Sequence, residues 1–146
     1  MAFDYWIIDT RRLVLAVANG RVTDQDLFGY QLAAWASESV HGYDELIDMS
    51  NVTEVVQPSK ERLSDLAKLA TSMSASNVKS RLAIIATADL VFGLARMFQT
   101  MRDLEGGSER EVMVTRSASE AFLFLKIDPG MTIERLLAEA KRKDEG

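Results

Sequence analysis

Between Glu45 and Ser59 an apolar run ends in Asp48-Met49-Ser50, a polar stretch follows, and Pro58-Ser59 then leads into a long helical pattern. A buried strand handing the chain to a helix N-terminus has this form, because the strand needs apolar residues and the helix start needs a capping hydroxyl. The same alternation recurs along the chain and restricts it to the α/β class.

The runs Tyr5–Asp9 and Leu13–Ala18, joined by Thr10-Arg11-Arg12, predict a β-hairpin that Asn19-Gly20 closes. Thr23, followed by Asp24 and Asp26, predicts a capped helix to about Ser39, with Leu27, Phe28, Gln31, Leu32 and Trp35 near one face. A third strand is expected over Tyr43–Met49, then a polar loop, then a helix from Ser59 carrying Leu63, Leu66, Ala67, Ala70 and Met73 at helical spacing. The run Arg81–Thr87 is apolar between polar ends and reads as a strand buried on both faces at the centre of a sheet. Asp89 is expected to cap a helix to about Glu105, stopped by Gly106-Gly107. Glu111–Thr115 is the fifth strand, Ser117 opens a helix to Lys126, Asp128-Pro129-Gly130 is a turn, and Thr132 to about Lys141 is a last amphipathic helix. The order is β-β-α-β-α-β-α-β-α plus an extra C-terminal helix: a mixed, mostly parallel five-stranded sheet with one antiparallel edge strand. With no repeat or linker in 146 residues, positions 1–128 form the domain and 129–146 its C-terminal helix and tail.

Composition excludes several classes. No apolar stretch is long enough for a membrane-spanning helix. Met-Ala-Phe-Asp-Tyr-Trp has no basic flank of the kind a signal peptide carries, which with the absence of cysteine gives a cytoplasmic reading. Thiolate chemistry, disulfides and cysteine zinc sites are excluded outright. With 22 acidic and 17 basic residues the net charge is −5, so the basic footprint of a nucleic-acid binder is missing.

Catalytic signatures are also missing. There is no glycine-rich phosphate loop, no dinucleotide fingerprint and no nucleophile elbow. The lone histidine, His41, is better explained as a contact at a helix C-terminus than as a general base. No repeated carboxylate–histidine spacing suggests a metal, and no cofactor is expected. In open parallel sheets ligands bind beyond the strand C-termini, where this chain offers Asn19, Asp48, Ser50, Thr87, Asp89, Thr115 and Arg116. On the helix from Asp89, Val91, Leu94, Ala95 and Phe98 form the core stripe. Phe92, Met97, Met101 and Leu104 broaden it beyond what a one-sided helix needs, which suggests a homodimer face or the lip of an apolar pocket.

These residues carry a family resemblance. Asp48-Met49-Ser50-Asn51-Val52 resembles the third-strand pattern of the SpoIIAA-like superfamily, which includes STAS domains and anti-sigma-factor antagonists. The family follows it with Asp-Ser-Ser-Gly, its second serine being the phosphorylation site. This chain reads Val56-Gln57-Pro58-Ser59, with Pro58 in the acceptor's place and Ser59 where the family has glycine. Phe92-Gly93-Leu94-Ala95-Arg96-Met97 and Ser119-Glu120-Ala121-Phe122 are similar to segments of an uncharacterised bacterial branch of that superfamily. The likeness covers about residues 3–127. It implies the SpoIIAA-like fold and a regulatory or interaction role, with Asp48, Ser50, Ser59, Asp89 and Arg116 around the switch loop. Ser59 itself is expected to be a structural N-cap.

The resulting expectation is a non-enzymatic STAS-like module, dimeric, that binds a protein partner or a small ligand. Two alternatives differ in chemistry. One is a carrier of an apolar small molecule, with a pocket between the sheet and the first and third helices near Phe28, Trp35, Leu94 and Phe98. The other is an anion or nucleotide binder using Asp48, Ser50, Asp89 and Arg116 at the strand ends.

Overall fold

The computed structural model describes residues 2–74, 78–106 and 109–145, the last three as backbone only. Strand β1 (Phe3–Ile8) runs antiparallel to β2 (Leu13–Val22), joined through a single 3-10 turn at Asp9–Arg11. Strands β3 (Asp44–Val55), β4 (Ser80–Ile85) and β5 (Arg110–Thr115) continue the sheet in parallel, in the order β1-β2-β3-β4-β5. Helices α1 (Asp24–Ala34), α2 (Lys60–Ser72) and α3 (Asp89–Glu105) cross one face. Helices α4 (Ala118–Phe124) and α5 (Ile133–Glu145) cover the other.

Alternation along the strands builds two cores. Val14, Ala16, Leu82, Ile84 and Val114 point towards α1–α3, whereas Leu13, Leu15, Leu46, Ala83 and Ile85 point towards α4 and α5. Within α5, Leu136 and Ala140 pack into the second core. Arg11 donates twice to Glu139 (Nε–Oε1 2.7 Å, Nη2–Oε2 3.1 Å), tying this helix to the first turn. The hydrogen bonds from Arg11, aided by its charge, lower the Glu139 pKa.

Five expectations change. The third strand does not stop at Met49, and the second does not close at Asn19-Gly20: β2 and β3 remain paired to Val22 and Val55. Extra residues on β3 are absorbed at register shifts opposite Val17–Asn19 and Gly20–Arg21, and Gly20 adopts φ +70, which glycine takes without strain. Asp48 Oδ1 accepts from the Ser50 amide (3.0 Å) and hydroxyl (2.6 Å) at the first shift, so polar residues that read as a loop hold a bulge.

Helix α1 ends at Ala34 rather than near Ser39, where the Ser37 side chain accepts from the Ser39 amide and a 3-10 turn takes over. Its buried face is Tyr30, Gln31 and Ala34, and Leu32 is exposed. Asp89 does not cap α3. Ala88 holds that position and Asp89 is the first helical residue, paired with Arg116. Finally, β4 is interior but β3 is the middle strand. Thr23 forms the expected capping box with Asp26, and Gly106 ends α3 at φ +62. Gly107 lies outside the described residues.

Candidate functional site

Two concavities beside the sheet gather candidate residues. The first, about 930 Å³, opens beyond the C-terminal ends of β4 and β5, beside the middle of β3, and is bordered by α4 and the start of α5. Of the sequence candidates it gathers Asp48, Ser50, Thr87 and Arg116, whereas Ser59 and Asp89 do not line it. Several of its polar groups already have partners. Arg116 donates to the Thr87 carbonyl (2.8 Å), pairs with Asp89 (2.9 Å) and lies 4.3 Å over the Phe92 ring, so it staples the β5 end to α3. Thr115 Oγ1 donates to Glu120. With Asp48, Glu120, Asp128 and Glu134 against Arg116, the lining is acidic, which disfavours an anion.

Ser59 is the N-cap of α2 and accepts from the Arg62 amide (3.1 Å). Arg62 is itself held by Asp24 (3.0 Å) and lies 4.1 Å over the Phe28 ring. Its side chain is thus committed to α1. The His41 ring contacts the Trp35 carbonyl at 2.8 Å, at the C-terminal end of α1. Phe92 packs against the core and under Arg116, away from Met97 and Met101, so these three do not form one patch. Met97 and Met101 are half-buried and align at helical spacing with exposed Leu90 and Leu104 (53% and 81% exposed).

The second concavity lies between the sheet and α1, α2 and α3, partly open to solvent, with a volume of about 80 Å³. Ile47, Met49, Leu66, Ile84, Ala95 and Phe98 are among its apolar walls. Leu94 also borders it, but Phe28 and Trp35 do not: Phe28 turns to Arg62, and Trp35 is buried beside Glu45. One end is polar, because Tyr30, Gln31, Glu45 and Arg102 line it too.

That end was not anticipated from sequence and holds a buried ionic network. Glu45 on β3 pairs with Arg110 on β5 (2.8 Å), both almost fully buried. Its other oxygen accepts from Tyr30 Oη (2.6 Å) and Trp35 Nε1 (3.2 Å). Arg110 also donates to the Tyr43 carbonyl (2.9 Å) and Ser80 Oγ (2.8 Å), and its guanidinium stacks 4.8 Å from the Trp35 ring. Burial, and then the Glu45 charge, pushes the Tyr30 hydroxyl well above its ordinary range, so it stays a donor at neutral pH. Arg102 on α3 is 7% exposed and donates to Ser74 Oγ at 3.3 Å. Burial and the nearby Arg110, opposed by Glu45, lower its pKa to about 10, so it remains charged at neutral pH.

The signal for these residues was charge at inward positions. Glu45 alternates with Ile47 and Met49, Arg110 with Val112 and Val114, and Arg102 continues the Val91–Ala95–Phe98 stripe. Among the described residues no helix is long and apolar enough to cross a membrane, and no group of three or more carboxylates or imidazoles could hold a metal ion.

No family model matches the chain, and no curated protein does either. Among solved structures it is similar to the crystal structure of an uncharacterised protein of the DUF3478 family, with a SpoIIAA-like fold, from Shewanella loihica PV-4. The TM-score is 0.51 at 16% identity, over 85% of this chain and 94% of that one. The five-stranded mixed sheet and its helices thus form a SpoIIAA-like fold.

Proposed function

We propose that this chain is a non-enzymatic, SpoIIAA-like binding module that takes a small molecule into the cavity beneath α1–α3. The observation that supports this reading is the cavity itself: about 80 Å³ of apolar space with a charged end, inside an otherwise packed domain. Left empty, a void of that size costs about 2 kcal/mol, which a fitting ligand would recover. Water takes roughly 30 Å³ in the liquid, so the space suits a chain of about four heavy atoms rather than a long lipid.

Native mass spectrometry of protein from its host should show a small adduct. Ala95→Leu, which projects a side chain into the void, should lose it while circular dichroism stays unchanged. A wild-type protein that carries no adduct, and whose melting temperature no small apolar compound raises more than it raises that of Ala95→Leu, would count against the reading.

A second reading concerns self-association, and the stripe Leu90, Met97, Met101 and Leu104 favours it. We propose that this flank of α3 meets a second copy. Light scattering should show a dimer that Met97→Asp converts to monomer with circular dichroism intact. A wild-type protein monomeric at high concentration would remove this reading.

A further inference from the structure

We infer that the molecule held in the α1–α3 cavity is a short-chain organic anion, its carboxylate bound by Arg102 and Gln31 and its carbon chain lying along the apolar walls. This rests on the cavity being a ligand site, and adds the chemical class of the ligand.

Three features of the polar end point to a missing acceptor. The first is charge. Among the described residues Arg102 and Arg110 share this interior with one buried carboxylate, Glu45, which is the ion-pair partner of Arg110, while Asp103 acts on Arg102 only from an exposed position. Among the described residues Arg102 has no ion-pair partner and a single hydrogen bond, to Ser74, which is long at 3.3 Å. A guanidinium removed from water without a counter-charge is strongly unfavourable, and such groups are paired when buried.

The second feature is Gln31, also buried, whose Nε2 reaches, among the described residues, only the Met73 sulfur at 3.8 Å. Thioether sulfur is a weak acceptor, so this amide donor is poorly satisfied. The third is convergence. Arg102 and Gln31 come from different helices, both line the cavity, and their present partners, Ser74 and Met73, are adjacent residues at the end of α2. Two under-satisfied donors meeting at one end of an apolar void call for an acceptor group with negative charge. A carboxylate accepts hydrogen bonds from guanidinium and amide donors together. The volume limits the whole anion to about four heavy atoms, a two-carbon carboxylate. The strand-end cleft, by contrast, is acidic and its arginine is engaged.

The probes are acetate and its neutral isostere acetamide, titrated into the whole chain by calorimetry, with intrinsic fluorescence as a second readout. Acetate should bind at least tenfold more tightly than acetamide to the wild type. Arg102→Met should abolish this preference, and Arg102→Lys should keep part of it. If both probes bind equally to the wild type, the anion inference is overturned and the cavity reading stands. If neither binds, both fall. The wild-type comparison alone decides between these results, even if Arg102→Met does not fold.

Discussion

Replacing Arg110 with methionine is expected to destabilise the domain by about 3–5 kcal/mol, the range for breaking a buried ion pair from one side. The substitution keeps much of the side-chain length but leaves the Glu45 carboxyl, 4% exposed, without its counter-charge. Tyr30 and Trp35 would still donate to Glu45, which is why the loss should not exceed that range. Natural domains hold only about 5–15 kcal/mol in all, so urea denaturation followed by tryptophan fluorescence will resolve the change easily. The double variant Glu45→Leu with Arg110→Met should recover part of the loss, because no charge is then stranded. An Arg110→Met protein within about 1 kcal/mol of wild type would mean that water reaches Glu45 and that the network contributes little.

Leu136→Ala should cost about 2–5 kcal/mol, the range for emptying a fully buried leucine site. Leu136 is 0% exposed and packs in the same core as Ile8, Leu13, Leu15 and Phe122. If α5 were a loosely attached tail, the substitution would barely register, whereas a large loss makes this helix part of the folding unit. The ion pair between Arg11 and Glu139 is half-exposed and should matter less, so Glu139→Gln serves as the comparison. Cooperative loss of both cores in one urea transition is the expected form of unfolding for Leu136→Ala.

The element order was legible because each strand and helix carries its own period and punctuation. Thr23, Ser59 and Ser117 cap the helices as their residue types and positions suggest, since capping is local chemistry between a hydroxyl and amides within one turn. Errors gathered where a local signal competes with a distant partner. Asp48-Met49-Ser50 reads as a strand end, but pairing with β2 carries the strand to Val55 through bulges that period-two alternation cannot reveal. Asp89 reads as a cap, but Arg116, from the far end of β5, takes its carboxylate.

The candidate sites divide in the same way. Asp48, Ser50, Thr87 and Arg116 were found together because strand C-termini converge in any parallel sheet, yet their hydrogen bonds turn inward and only the folded structure says so. The cavity and its polar end draw on β3, β5, α1 and α3, with Glu45 and Arg110 65 positions apart. A charged residue inside an apolar pattern is visible in the sequence, but its partner is not, because pairing across such a separation depends on strand order and register. By itself, then, the sequence determined the class, the helix starts and the two-sided burial of the sheet, all of which follow from periods and caps within a few residues. Tertiary structure alone decided which charges meet, which arginine has no carboxylate partner among the described residues and where the packing leaves a cavity, since each depends on side chains that the chain brings together only by folding.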